Sequence, residues 1–272
     1  NKYNFIALYP ESVNFYDGDT LVNTFNDIIR ETTNEEISSI CLSDSERYVY
    51  PKYPNCDRGR CGWAPCADDA NFVKLLIDHF KDNYKIRNVY MIGNSSGGTF
   101  VNSYVCKYPE SITSAISING MSRLGFGCTP NKPVNFITYA SLKDTSVPPI
   151  GGISADGLFY ETQESLIKTW VDKFECKEKA SKTYKHFETF NENLFSECLG
   201  GIKIVSILNL DSDHMWPEAG YDKDTGLSSY TNYGTCVTDI QDEFKIPKCY
   251  RTNDRWGSEF ILKKLFEFDN VN

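Results

Sequence analysis

Five residues, Gly93-Asn94-Ser95-Ser96-Gly97, constrain this chain more than any other feature. An apolar, β-prone run leads into them over residues 88–94, and a helix-like stretch follows over 99–108. Gly-x-Ser-x-Gly between a strand and a helix puts the serine on a sharp, strained turn, where small neighbours let strand and helix approach closely. The Ser95 hydroxyl would then stand above the sheet edge. The backbone N–H of Ser96, at the helix start, would face a developing oxyanion. The pentapeptide alone is weak, and the strand before it and the helix after it are what strengthen it. A phosphate-binding turn would instead need Gly-x-x-x-x-Gly-Lys-Ser/Thr, and no such lysine follows.

The same alternation runs along the chain. Strand-like segments at 4–10, 88–94, 114–119, 134–140 and 202–210 are separated by helix-like ones at 68–84, 99–108, 161–174 and 257–268. In the 68–84 segment Asp68 or Asp69 can cap the helix, and Phe72, Leu75, Leu76, His79 and Phe80 recur at helical spacing. Strands alternating with helices imply an α/β fold, a mainly parallel sheet with helices on both faces. The length of 272 residues with 40% apolar content is enough for one large domain. Residues 43–65 and 219–249, rich in Pro, Gly, Tyr, Asp and Cys, read as surface loops.

The net charge of −9 argues against a nucleic-acid partner, since phosphate binding needs clustered Lys and Arg. No stretch reaches the roughly 20 apolar residues of a membrane helix. Ten cysteines, an even number and mostly in loop-like segments, suggest disulfides and a secreted or otherwise extracytoplasmic protein. Cys56, Cys61 and Cys66 lie five apart with no histidine near, which is wrong for the usual zinc knuckles. No metal or cofactor is expected. The one Asn-x-Ser/Thr site, Asn94, falls inside the serine turn and says nothing of secretion.

A serine nucleophile needs a base, and three histidines are available. His79 lies on the apolar side of its helix-like segment and reads as a core or boundary residue. His186, among charged residues, reads as solvated. His214 follows the strand-like run 202–210, where a loop at the carboxyl end of a parallel strand would place a reacting group. The acid that orients the imidazole is expected between serine and histidine in chain order. Asp144, after the strand-like run 134–140, is favoured. Asp211 and Asp213 are too near His214 in the chain to orient it easily, and Asp156 is a more distant candidate.

With those residues identified, a family likeness emerges. Cys61-Gly62-Trp63, Asp68-Asp69 and residues 72–78 (FVKLLID) come first, then residues 89–98 (VYMIGNSSGG). Residues 142–148 (LKDTSVP) with Gly151-Gly152, then Trp170 and Cys176, and finally His214-Met215-Trp216-Pro217 complete the series. In that order they resemble the secreted α/β-hydrolase esterases that include feruloyl esterases, acetylxylan esterases and polyhydroxybutyrate depolymerases. The likeness spans about residues 4–268. It implies Ser95 as nucleophile, Asp144 as acid and His214 as base, with Ser96 giving one oxyanion N–H. It also implies Trp63 and Trp216 as residues flanking a substrate cleft, and a plant cell-wall ester or a polyester as substrate. The family's early strands carry a His-Gly segment that gives the second oxyanion donor, and no His-Gly occurs here. The expectation is a single catalytic domain over residues 1–272 that is incomplete at its N-terminus, part of a larger esterase. The rival readings are a non-catalytic binding module that keeps the hydrolase shell and a serine peptidase on the same fold.

Overall fold

A computed structural model describes residues 5–12, 14–17, 20–27, 67–155, 158–185, 189–217 and 256–268. The described elements begin with β1 (Asn14–Asp17), β2 (Thr20–Asn23), α1 (Asp69–Asn83), β3 (Tyr90–Asn94) and α2 (Ser96–Lys107). They continue with β4 (Ser114–Ile118), β5 (Asn135–Ser141), β6 (Gly152–Ile153), β7 (Phe159–Tyr160) and α3 (Gln163–Lys173). They end with β8 (Glu178–Lys185), β9 (Thr189–Ser196), β10 (Ile204–Asn209) and α4 (Trp256–Phe266).

Six strands form the central sheet in the order β3-β4-β5-β10-β9-β8. The pairs β3–β4, β4–β5 and β5–β10 are parallel, whereas β10–β9 and β9–β8 are antiparallel. Period-2 alternation sends adjacent residues to opposite faces. Ala115, Phe136 and Ile204 therefore join a core with Val73 and Ile77 of α1, Val101, Tyr104 and Val105 of α2, and Leu166 and Trp170 of α3. Their neighbours Ile116, Ile137 and Val205 point the other way, to Ile261 and Leu265 of α4. Both faces of the parallel sheet are thus covered by helices, as the alternating sequence required. Trp170 anchors the first core, fully buried and stacked on Phe136 with ring centroids 4.0 Å apart.

The residues 24–27 reach into the sheet's helical layer. The Phe25 ring packs on Phe100 of α2 at 4.9 Å, and the backbone N–H of Asn26 donates to Asp69 of α1 at 2.6 Å. Asp27 accepts from Arg123 at 2.9 Å, a pair 1% and 5% exposed, which ties this segment to the loop leaving β4. Disulfides join Cys106 to Cys128 and Cys176 to Cys198. The first ties the end of α2 to the loop between β4 and β5, and the second ties the segment after α3 to the one before β10.

Several sequence expectations need correction. Residues 5–10 form no strand and are largely exposed, Tyr9 most of all. Their apolar residues find no sheet neighbour among the described residues. The buried face of α1 is Asp69, Ala70, Val73 and Ile77, so Phe72 and Leu75 are exposed and His79 is at the surface rather than in the core. Two apolar stripes compete on this helix, and the one carrying the smaller residues packs on the sheet. The β1–β2 and β8–β9 hairpins were not anticipated. Asp17-Gly18 between the first pair was the available signal, as a hairpin-turn dipeptide. His186, Trp63, Asp156 and the two expected loops, 43–65 and all of 219–249, lie outside the described residues.

Candidate active site

The turn between β3 and α2 is built as the pentapeptide demands. Ser95 sits at φ 56° and ψ −124°, a positive φ that L residues rarely adopt. Its N–H donates to the Ile118 carbonyl at 2.9 Å, and its own carbonyl accepts from Thr99 N–H at 3.0 Å. The strained residue is therefore held by β4 on one side and α2 on the other. It caps α2, whose first N–H groups have no partner within the helix. Ser96 supplies one of them.

The glycines divide into those the turn needs and one it does not. A Cβ at Gly93 would lie 2.0 Å from the Gly97 carbonyl oxygen, and one at Gly120 would lie 2.3 Å from Gly98. Gly98 would meet the Ile118 carbonyl at 2.8 Å, yet a Cβ at Gly97 would meet nothing within 4 Å. Contact between strand and helix thus rests on Gly93, Gly98 and Gly120. Gly93→Ala is expected to destabilise the chain by at least about 1–3 kcal/mol, because backbone must move. Gly97→Ala, inside a helix, is expected to be neutral or to stabilise by up to about 1 kcal/mol. Denaturant midpoints of the two variants check the contrast. Equal losses would show that the glycines are needed for some reason other than space.

Ser95, His214 and Asp144 come together from the carboxyl ends of three strands. Ser95 Oγ lies 2.7 Å from His214 Nε2, and His214 Nδ1 lies 2.7 Å from Asp144 Oδ2. The Asp144 side chain is fully buried, while that of His214 is 25% exposed. Oδ1 of Asp144 accepts from the N–H groups of Ser146 and Val147, both at 2.8 Å. Those two bonds leave Oδ2 for the imidazole. A carboxylate only accepts, so Nδ1 carries the proton and Nε2 presents its lone pair to the serine hydroxyl. This arrangement can take a proton from Ser95 Oγ as a bond forms to an electrophilic carbon, and return it to a leaving group.

The rival acids are placed elsewhere. Asp211 accepts from Thr189 N–H at 2.7 Å, and this backbone hydrogen bond holds its carboxyl below the usual range. It fastens the start of β9. Asp213 is exposed. Trp216 is half-buried, donates from its indole N–H to Ser258 Oγ at 3.2 Å, and packs against the α4-facing core. Two buried asparagines that sequence reasoning passed over flank the histidine loop. Asn209 accepts from the N–H groups of Asp211 and Ser212, and Asn119 donates to the Met215 carbonyl at 2.7 Å. Neither sits in a motif, and Asn119 lies 96 residues from its partner. Their only local signal was an amide residue at the end of a strand.

Residues 45–142 match a family model described as alpha/beta hydrolase fold. The match contains Ser95 and stops before Asp144 and His214. No curated protein matches the chain. Among solved structures, one titled as the crystal structure of a thermostable esterase is similar over 40% of this chain at 21% identity, with a TM-score of 0.31. The matched part is 26% of that chain, well short of two thirds.

Proposed function

We propose, from the α/β-hydrolase fold that this chain adopts, that it is a serine carboxylic-ester hydrolase working through an acyl-enzyme. The observation that carries the reading is the continuous chain of hydrogen bonds Ser95–His214–Asp144, with the serine at positive φ on a strand-to-helix turn. Ser95 Oγ attacks the ester carbonyl while Nε2 of His214 takes its proton. Asp144 stabilises the imidazolium, and the Ser96 N–H faces the oxyanion. The imidazolium then protonates the departing alcohol. In the second half, His214 takes a proton from water as its oxygen attacks the acyl carbon, then returns that proton to Ser95 Oγ as the C–Oγ bond breaks and the acid leaves.

The order of sequence blocks around Trp63, Ser95, Asp144 and His214 favours feruloyl or acetyl esters of plant cell walls, or a polyhydroxyalkanoate, as substrate. Trp63 and Trp216 are assigned to the cleft walls on the same basis. We read residues 1–272 as one catalytic domain. The two disulfides favour an extracytoplasmic setting.

A fluorophosphonate probe tests the chemistry directly. The full chain is expected to be labelled, and Ser95→Ala to remain unlabelled. Labelling that persists in Ser95→Ala, or no labelling of the wild type, would sink the reading. A panel of feruloyl, acetyl-xylan, hydroxybutyrate and peptide substrates then separates esterase from peptidase, with turnover expected on esters.

A further inference from the structure

Asn119, the residue just after β4, has two features that cost stability. Its backbone turns at φ 45°, and its side-chain Oδ1 is buried with no hydrogen-bond partner among the described residues. Asn tolerates the left-handed region better than most residues, but an unpaired buried acceptor is a net loss. Only Nδ2 has a partner, the carbonyl of Met215 at 2.7 Å. Met215 is the residue after His214, so this one bond fixes the chain beside the imidazole.

The other end of the histidine loop is fixed in the same way. Asn209, fully buried as the last residue of β10, accepts from Asp211 and Ser212 N–H at 3.0 and 3.2 Å. Its Nδ2 donates to the Tyr139 hydroxyl at 2.6 Å. The backbone N–H of Asn119 donates to the Tyr139 carbonyl at 2.7 Å. Both clamps therefore lead to one residue of β5, the strand that ends three residues before Asp144. A misplacement of about 1 Å in a reacting group costs on the order of a hundredfold in rate. A stability-costing amide that holds the loop of the base therefore has a positional purpose.

We propose that Asn119 is a positioning residue for His214, acting through the Met215 carbonyl; the inference rests on the triad reading above. Two variants test it. Asn119→Asp keeps the shape and the left-handed backbone, but its carboxylate cannot donate to Met215. Asn119→Gly keeps the backbone freedom and removes the amide, and it serves if the aspartate does not fold. Turnover of p-nitrophenyl acetate by the full chain is measured well below the melting temperature of each variant. Both are expected to lower kcat by roughly 10- to 100-fold with KM changed by less than about threefold. Adding Asn119→Asp to His214→Ala is expected to cost no further rate, since the residue through which it acts is gone. Unchanged kcat in folded Asn119 variants would overturn the proposal, as would an equal loss in the His214→Ala background. Wild-type turnover in Ser95→Ala would overturn the triad reading and this inference with it, so the two failures are distinguishable.

Discussion

Ser95→Ala is expected to lower kcat for ester hydrolysis by about a millionfold, His214→Ala by about as much, and the double variant by no more than either. The reason is geometric. Nε2 of His214 has one evident task at 2.7 Å from Ser95 Oγ, and without the hydroxyl there is nothing for it to activate. The residual rate would come from substrate binding and the Ser96 N–H, which do not need the nucleophile. Single-turnover and steady-state rates on a p-nitrophenyl ester measure this. Losses that multiply in the double variant would mean that the two side chains act separately, which contradicts a shared proton path. Tm should move little in Ser95→Ala, since the strain at φ 56° lies in the backbone and an alanine suffers it equally.

The grouping of Ser95, His214 and Asp144 in the candidate site was legible because its signals are local. Ser95 sits in a pentapeptide whose Gly93, like Gly98 just after it, is needed for the close approach of strand and helix, and Asp144 and His214 each follow a β-rich run at the end where loops carry function. What escaped reading depends on partners far along the chain or on strands with no apolar rhythm. In β8 seven of eight residues are exposed, and Lys179, Lys182 and Lys185 line a solvated edge, so no period-2 hydrophobic pattern exists to find. Pairs such as Ser181 with Asn193 and Thr183 with Asn191 fasten it to β9 instead. Residues 5–10 fail in the opposite sense: they are apolar enough for a strand, but propensity alone does not form one, and no strand pairs with them among the described residues. The two stripes of α1 show the same limit, since periodicity identifies a helix but not which of two apolar faces meets the sheet. The clamp residues Asn119 and Asn209 are invisible for a related reason. An asparagine at a strand end reads as a turn, and only the fold shows what its amide reaches.

Asp144→Asn is expected to lower kcat by about ten-thousandfold, and the cause can be followed atom by atom. Oδ1 of Asp144 accepts from two backbone N–H groups, Ser146 and Val147. An asparagine must keep an oxygen there, because an amide NH2 would face two donors. Its NH2 group is thereby forced toward His214 Nδ1, in place of the oxygen that stands 2.7 Å away. A donor at that position accepts no proton from the ring, so Nδ1 must be the unprotonated nitrogen. Nε2 then carries the hydrogen and points it at Ser95 Oγ, where a lone pair is required. The variant keeps every contact of the loop and should keep its Tm within a few degrees, yet it holds the imidazole in the unproductive tautomer. Asp144→Ala makes the sharper comparison. It leaves the Ser146 and Val147 N–H groups unpaired and should cost about 1–3 kcal/mol in stability for each that water does not reach. The imidazole, however, is then free to adopt either tautomer. The less stable alanine variant should therefore be at least as active as the asparagine one, with both far below wild type. The ranking is read from kcat of the folded variants beside their denaturant midpoints. An asparagine variant with near wild-type turnover would remove Asp144 from the mechanism.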